Sequence, residues 1–228
     1  MNLKQQAAAE AVASIRSGMV LGLGSGSTAA YAVETIGHKL RRGELSGILG
    51  IPTSEETARQ AQAMGIPLTT LAEHPVIDLA IDGADEVDPN LDLIKGLGGA
   101  LLREKIVEVH ARRFIVIVDA SKRVAKLGTR APLPVEVAQF AWEAQAHWLQ
   151  SRLECSPQLR GRGGQPFVTD NHNFILDCVF PNGIDEPPAV AEILERRPGV
   201  VGHGLFLGMA TEVIVAADDG VRHLTRPA

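Results

Sequence analysis

The alternation of short apolar runs with helical patterns through the first half of the chain constrains its fold more than any other feature. Apolar runs predict strands over residues 19–23, 48–51, 78–81 and 114–118. Helical spacing predicts helices over 3–17, 28–40, 53–64 and 100–111, the third opening with the capping-box pair Thr53 and Glu56. Strands that alternate with helices pair in parallel, because each helix returns the chain to the starting edge of the sheet. The first half therefore predicts an α/β fold: a mostly parallel, Rossmann-like sheet with helices on both faces.

The pattern changes after Gly128, where Pro132 and Pro134 interrupt it. Strands are predicted over 135–137, 166–169, 174–180 and 200–207, and helices over 140–153 and 188–196. This βαββαβ order is typical of a small ferredoxin-like α+β domain. The last apolar run, 211–216, is expected to return to the first sheet. We therefore predict a Rossmann-like domain from residues 1–128 and 208–228, and a small α+β domain from residues 129–207.

The charge and the apolar content of the chain exclude several classes of partner. Its 228 residues have a formal net charge of -5, and they show no basic face of the kind that nucleic-acid-binding proteins present. No apolar run approaches the length of a membrane span, and residues 1–13 lack the apolar core of a signal peptide. We therefore expect a cytoplasmic protein with neither nucleic-acid nor membrane partners. Cys155 and Cys178 lack the spacing of a metal or redox motif, and buried packing is expected for Cys178.

A glycine-rich segment, GLGSGST at 22–28, joins the first predicted strand to the helix that follows it. Glycines let backbone N–H groups approach a ligand, and the start of a helix attracts an anion. A nicotinamide-dependent dehydrogenase is disfavoured because Ser27 stands where a dinucleotide fingerprint needs its third glycine, and 52–54 supply no acidic residue. A Walker loop would need a lysine that does not follow here. The segment alone leaves phosphate binding and a capped tight turn equally open.

Two aspartates, a lysine and a glutamate form a second group of candidate functional residues. Asp82 and Asp85 lie where a predicted strand ends, which is the sheet edge where ligands usually bind. Carboxylates that share one small cavity can hold protons unequally, and acid–base chemistry on neighbouring oxygens requires this. Lys95 opens a glycine-rich turn, and Glu104 lies on the helix beyond it. Glycines there suit close backbone approach to a substrate, so these four side chains are candidates for catalysis.

Calcium binding is the competing interpretation of the acidic segment. Asp88, Asn90 and Asp92 imitate the start of an EF-hand. However, Leu93 and Gly99 occupy the positions where that loop needs glycine and glutamate. The seven histidines are scattered and form no transition-metal motif. We therefore expect neither a metal nor a cofactor, and we expect Asp88 to form a turn.

Six strings of the chain carry a resemblance to a known family. They are GLGSGSTAA, IDGADEVDPNLDLIKGLGGALLREKI, VDASKRVAKLG and PLPVEV, with FVTDNHNFILD and PGVVGHGLF in the predicted small domain. Together they closely resemble ribose-5-phosphate isomerases of the A type, over nearly the whole chain. The resemblance implies interconversion of D-ribose 5-phosphate and D-ribulose 5-phosphate in the pentose phosphate pathway. It also implies an enzyme without a metal that is usually a homodimer and sometimes a tetramer.

The resemblance further implies roles for individual residues. Glu104 would move the proton between C2 and C1, and Lys95 would steady the enediolate. Asp82 and Asp85 would serve the hydroxyl groups and ring opening. The implied substrate-binding residues are Ser25, Gly26, Ser27, Thr28, Asp82, Gly83, Ala84, Asp85, Lys95, Gly96, Leu97, Gly98 and Lys122. A non-catalytic sugar-phosphate sensor would keep the glycine-rich loop, but it would need neither Glu104 nor Lys95.

Two details of this resemblance stay open in the sequence. Lys4 is a candidate for a phosphate contact, although one lysine in an amino-terminal helix is a weak signal. Leu97 interrupts a turn in which the family usually has glycines throughout. Because leucine does not adopt a positive φ cheaply, either the backbone at 97 differs or the glycine there only provides space.

Overall fold

The computed structural model describes residues 2–226, which form six helices and fifteen strands. The helices are α1 (Leu3–Val12), α2 (Ala29–Arg41), α3 (Glu55–Ala63), α4 (Leu101–Val109), α5 (Trp142–Leu153) and α6 (Pro187–Glu195). The strands are β1 (Val20–Leu23), β2 (Leu49–Pro52), β3 (Leu79–Asp82), β4 (Glu86–Val87), β5 (Leu93–Ile94), β6 (Phe114–Asp119), β7 (Leu133–Val137), β8 (Ser156–Leu159), β9 (Gly161–Arg162), β10 (Gln165–Pro166), β11 (Phe174–Val179), β12 (Val200–His203), β13 (Leu205–Phe206), β14 (Glu212–Ala217) and β15 (Gly220–Thr225). No helix within 2–226 is both long enough and apolar enough to cross a membrane.

The chain divides into two compact units. The first contains Met1–Ala84, Arg103–Lys122 and Gly208–Ala228, and the second contains Asp85–Leu102 and Arg123–Leu207. The units differ from the predicted domains mainly because 85–102 and 123–128 belong to the second unit. The domain bounds given above, 1–128 with 208–228 and 129–207, stay a prediction.

The first unit is built on a six-stranded sheet in the order β15-β14-β6-β3-β1-β2. Neighbouring strands are parallel except in the β14–β15 hairpin at one edge. The predicted Rossmann-like sheet is therefore confirmed, as is the return of the run near 211–216, which forms β14 beside β6. Ile115, Ile117 and Ile214 are fully buried in its core. Such apolar strands are expected where a parallel sheet is covered on both faces.

The second unit contains a four-stranded antiparallel sheet in the order β12-β7-β11-β8. With α5 and α6 its elements follow the βαββαβ order, so the predicted ferredoxin-like arrangement is confirmed. The predicted strand over 166–169 was wrong, because β8 takes the place beside β11. Thr169 instead donates from its Oγ1 to Oε1 of the buried Glu136, at 2.9 Å. That bond holds the segment as a loop outside the sheet.

Gly204 divides the predicted strand over 200–207 into β12 and β13, which belong to different sheets. β13 joins β5 and β4 in a three-stranded antiparallel sheet of the second unit. A Cβ atom at Gly204 would lie 2.3 Å from the carbonyl oxygen of Lys95, so the chains approach this closely only because the residue is glycine. The division therefore places β13 beside the strand that leads into Lys95.

Two predicted helix boundaries were wrong. Helix α1 ends at Val12, because the N–H groups of Ser14 and Ile15 bond to carbonyls three residues back and form turns. The cap of α3 is Ser54, whose Oγ accepts a hydrogen bond from the Thr57 N–H at 3.0 Å, rather than Thr53. Thr53 follows β2 directly and donates from Oγ1 to the Leu23 carbonyl. The strand therefore extends further than the apolar run that predicted it.

The His223 side chain on β15 makes the stability of the first unit dependent on pH. Its Nδ1 lies 2.6 Å from Oε1 of Glu212, and its Nε2 lies 3.3 Å from Oε1 of Glu10. The hydrogen bond with Glu212 raises the pKa of His223 above its ordinary value of 6.5. The resulting stabilisation is fully present below that value and is lost as the pH rises through the raised pKa. The ring is partly exposed, so the effect is small.

We therefore expect His223→Gln to lower the melting temperature more in mildly acidic than in mildly alkaline buffer. Thermal unfolding of both proteins from about pH 5.5 to about pH 9 measures the difference. An equal loss across this range would show that His223 acts through packing alone.

Candidate active site

A cluster of hydroxyl groups surrounds Ser25, in the loop between β1 and α2. Its Oγ lies 2.7 Å from Oγ1 of Thr53, 2.8 Å from Oγ of Ser54 and 3.1 Å from Oγ1 of Thr57. The last three residues follow the neighbouring strand β2, and we did not predict them. The cluster fixes the side chain of Ser25, so its backbone is held at a defined place in the loop.

The remainder of the loop leads into helix α2. Gly26 has a φ of +91°, a conformation that favours glycine. Thr28 occupies the N-cap position without a capping bond from its side chain, so its hydroxyl is not used to close the helix. Lys4 on α1 donates from Nζ to Oγ of Ser27, at 2.8 Å. The loop thus combines a helix start, hydroxyl groups and an ammonium group, which suits an anion.

Asp82 ends β3 and is bound to the same loop. Its side chain is 1% exposed, and its Oδ1 accepts hydrogen bonds from the N–H groups of Ser25 (3.0 Å) and Gly83 (2.6 Å). A Cβ atom at Gly24 would lie 2.2 Å from this carboxylate, so the close packing requires glycine at 24. Gly83 and Ala84 continue the chain from the same strand end.

Three predicted side chains of the first unit lie at the carboxyl edge of its sheet. Asp82 ends β3, and Lys122 ends the short 3-10 turn that follows β6 beside it. Helix α4 ends near the opposite edge, where the Arg112 N–H bonds to the Ile77 carbonyl at 2.8 Å. Its first turn, which carries Glu104, therefore lies toward the carboxyl edge. Glu104 is 4% exposed, and a carboxylate is favoured in the first turn of a helix.

Lys95 follows β5 in the three-stranded sheet of the second unit. Its backbone N–H donates to the Gly204 carbonyl at 2.9 Å, and its side chain is 2% exposed. The Nζ atom lies 5.4 Å from the centre of the Phe206 ring, within the range of a cation–π interaction. Lys95 thus places a buried ammonium group at the start of the glycine-rich turn.

The conformation of the turn after Lys95 explains how leucine fits at position 97, where the family usually has glycine. Gly96 (φ +104°) and Gly99 (φ +90°) adopt the conformations that need glycine, whereas Leu97 has an ordinary negative φ. The Leu97 side chain is 41% exposed, and its backbone N–H donates to Oδ2 of Asp85 at 2.9 Å. A Cβ at Gly98 would meet no atom within 4 Å. Leucine at 97 therefore strains neither the backbone nor the packing of the turn.

Glu86, the last acid of the DGADE string, supports the second unit. It is fully buried, and its carboxylate accepts hydrogen bonds from the N–H groups of Gly128 (2.5 Å), Arg130 (2.6 Å) and Ala131 (2.7 Å). Three backbone donors can stabilise a buried negative charge. Glu86 thus anchors the loop before β7, which is a structural role.

The acidic turn that imitates an EF-hand is closed by its own backbone. Oδ1 of Asp88 accepts from the N–H groups of Asn90 (2.8 Å) and Asp92 (2.9 Å), which confirms its predicted turn-forming role. Over 2–226, no group of three or more His, Cys, Asp or Glu side chains is arranged to hold a metal ion. Whether Asp82, Asp85, Lys95 and Glu104 act on one substrate stays a prediction.

Comparisons with known proteins agree with this arrangement. Residues 49–220 match the family described as ribose 5-phosphate isomerase A (phosphoriboisomerase A). The ribose-5-phosphate isomerase A of Chloroflexus aurantiacus is 54% identical over 223 residues, which cover 97% of this chain and 92% of that protein. The probable chloroplastic ribose-5-phosphate isomerase 3 of Arabidopsis thaliana is 54% identical over 230 residues, covering 99% of this chain and 83% of that protein.

Solved structures are similar over the same extent. The ribose 5-phosphate isomerase from Plasmodium falciparum has a TM-score of 0.96 and 39% identity, covering 99% of each chain. A D-ribose-5-phosphate isomerase in complex with phospho-erythronic acid has a TM-score of 0.95 and 45% identity, covering 99% of this chain and all of the other.

Proposed function

Because this chain belongs to the ribose 5-phosphate isomerase A family, we propose that its own carboxylates drive the family's reaction through an enediolate intermediate. The enzyme interconverts D-ribose 5-phosphate and D-ribulose 5-phosphate. This reaction moves one proton between C2 and C1 and another between the two oxygens. The observation that carries the proposal is the burial of two carboxylates, Asp82 and Glu104, toward the carboxyl edge of one parallel sheet.

Glu104 is the proposed base for the carbon step. One carboxylate near both carbons can remove the C2 proton and return it to C1, so a single base is sufficient. Its place in the first turn of α4 puts the carboxyl group near the positive end of the helix dipole. Asp82 is the proposed group for proton movement between the oxygens, and Asp85 for ring opening and the hydroxyl groups. These assignments rest on residue type, burial and matched position in the sequence.

Lys95 and the turn after it are proposed to stabilise the enediolate. Negative charge develops on the sugar oxygens when C2 loses its proton, and fixed donors lower the energy of that state. Lys95 supplies a buried ammonium group, and Gly98 in the turn supplies a backbone N–H. Donors that the fold already holds in place need little rearrangement during the reaction.

The glycine-rich loop is the proposed phosphate site. Its support is the helix start after Thr28 and the ammonium group of Lys4 beside Ser27. Lys122, at the same sheet edge, is proposed to contact the substrate as well. Phospho-erythronic acid, which a relative binds, has a phosphate at one end and a carboxylate at the other. We propose that this protein binds it too, because binding of the phosphate holds the reacting end in place.

Turnover of ribose 5-phosphate by the purified protein, without added metal, tests the proposal. We expect full activity after dialysis against a chelator, because carboxylates move both protons and Lys95 supplies the positive charge. The measurement compares the rate of ribulose 5-phosphate formation before and after dialysis. Loss of activity that a divalent cation restores would contradict the roles proposed for the carboxylates and Lys95. It would instead favour metal binding by the acidic segment.

A cytoplasmic homodimer that acts in the pentose phosphate pathway is also proposed. The substrates support the pathway, and the family resemblance supports the dimer. Cys155 and Cys178 are free and buried, as expected of a protein in a reducing compartment. Sedimentation of the purified protein measures its oligomeric state directly, and a monomer at micromolar concentration would contradict the dimer.

A further inference from the structure

A guanidinium group holds the turn that follows Lys95. Nη1 of Arg160 donates to two successive carbonyl oxygens of the turn, that of Gly96 at 2.9 Å and that of Leu97 at 3.1 Å. Arg160 lies just after β8, about sixty residues further along the chain. None of the sequence motifs singled out this arginine. Its side chain makes these bonds within the second unit alone.

These two bonds set the direction in which the turn presents its N–H groups. In a trans peptide the C=O and the N–H point to opposite sides. Because the Gly96 carbonyl faces Arg160, the Leu97 N–H points the other way, where it donates to Asp85. Because the Leu97 carbonyl also faces Arg160, the Gly98 N–H is likewise directed away from the guanidinium. The positive guanidinium group beside both carbonyl oxygens also polarises these two peptide groups, which makes their N–H groups stronger donors.

Arg160 is itself held rigidly. Its Nε donates to Oδ2 of Asp177 at 2.9 Å, and its Nη2 bonds to the other carboxylate oxygen, which makes a two-pronged ion pair. Its backbone N–H bonds to the Ile175 carbonyl, and its carbonyl accepts from the Phe167 N–H. The side chain is only 13% exposed. Its direction is therefore fixed by β11 and not by solvent.

The Phe167 ring contacts the other end of the turn, at Gly99. It packs so closely on Gly99 that a Cβ atom there would lie 2.5 Å from the ring. The guanidinium carbon of Arg160 lies 6.0 Å from the centre of the same ring. Arg160 and Phe167, which flank the β9–β10 hairpin, thus hold the two ends of the turn.

We propose that Arg160, fixed by Asp177, is a positioning residue that aims the Gly98 N–H of the Lys95 turn at the developing enediolate. The inference rests on the proposed role of Lys95 and its turn. It predicts that Arg160 affects binding of the charged intermediate more than binding of the neutral sugar end. A residue that served stability alone would change the amount of active enzyme and leave both affinities unchanged.

Phospho-erythronic acid separates these two cases. Counted from the phosphate, its carboxylate carbon takes the place of C2 of the sugar, so it bears negative charge where the enediolate does. We expect Arg160→Met to lower kcat about tenfold or more and to raise the inhibition constant of phospho-erythronic acid similarly. The KM for ribose 5-phosphate should change by less than about threefold. Arg160→Lys should recover part of the loss, and Asp177→Asn should show a smaller loss of the same kind.

Arg197→Met is the matched control. Arg197 lies in the same unit, donates to Gln145 at 2.9 Å and stacks 4.8 Å from the Trp148 ring, without a bond to the turn. We expect its kcat and its inhibition constant to stay within about twofold of wild type. If Arg160→Met does not fold, Arg160→Lys and Asp177→Asn provide the same comparison.

Lys95→Met, measured beside these variants, separates a failure of the role proposed for the Lys95 turn from a failure of the role proposed for Arg160. If Lys95→Met keeps full activity, the proposed role of the turn fails and the role of Arg160 fails with it. If Lys95→Met is inactive but the Arg160 variants bind phospho-erythronic acid as the wild type does, only the positioning role is overturned. Equal increases of the inhibition constant and KM would also overturn it, because the turn would then serve binding in general.

Discussion

Glu104→Gln is expected to lower kcat for ribose 5-phosphate about 10³-fold and to leave the fold unchanged. Glutamine keeps the size and the hydrogen-bonding ability of the side chain, but it cannot accept a proton from carbon at neutral pH. General-base catalysis contributes about 10² to 10⁴ in rate, and no second base is proposed for the carbon step. Steady-state kinetics measure kcat, and circular dichroism with thermal unfolding checks the fold.

Glu108→Gln provides the matched control for this experiment. Glu108 lies one helical turn further along α4 and is 3% exposed, close to the value for Glu104. The same substitution on the same helix, at similar burial, is expected to keep kcat within a few-fold of wild type. Near-normal turnover by Glu104→Gln would exclude Glu104 as the base, whatever Glu108→Gln shows.

Asp82→Asn is expected to lower kcat about 10²-fold, the second-largest effect. The Asp82 oxygen that receives the Ser25 and Gly83 N–H groups can be replaced by the amide oxygen of asparagine. The loop should therefore keep its structure, and the variant loses only the negative charge and the capacity to exchange a proton. Loss of that capacity slows proton movement between the two sugar oxygens. The measurement is kcat together with the affinity for phospho-erythronic acid.

Asp78→Asn is the corresponding control. Asp78 also accepts a backbone N–H with a carboxylate oxygen, that of Val20 at 2.9 Å, but it precedes β3 instead of ending it. We expect its kcat to stay near the wild-type value. Equal activity in Asp82→Asn and Asp78→Asn would mean that Asp82 is a structural residue of the loop.

The fold could be predicted from the sequence wherever hydrophobic periodicity was strong. The strands β1, β3, β6 and β14 are apolar runs, and each was placed within about two residues. Strand β8 could not be predicted, because its sequence SPQL has no apolar pattern and contains Pro157. It is a strand because β11 pairs with it, which is a tertiary effect. The same holds for the division at Gly204, which depends on the approach of Lys95.

The charged residues of the candidate site could be predicted from the sequence, but the residues that hold them in place could not. Asp82 was visible because it ends a predicted strand, Lys95 because it opens a glycine-rich turn, and Glu104 because it lies on the helix after that turn. The hydroxyl cluster around Ser25 could not be predicted, since its partners lie 28 to 32 residues away and are brought near by the pairing of β1 and β2. Arg160 could not be predicted either, because its carbonyl partners lie more than sixty residues earlier in the chain.

The three N–H groups that converge on Glu86 have a consequence for mutational scans of the DGADE string. Substituting Glu86 with alanine would leave three buried donors unsatisfied, so misfolded protein would be degraded and little would accumulate in the cell. Substituting Asp82 with asparagine would leave normal amounts of an enzyme whose kcat is about 10²-fold lower. A growth selection would score both variants as defective. A parallel measurement of protein abundance would separate the two variants, because Glu86 is needed for folding and Asp82 for turnover.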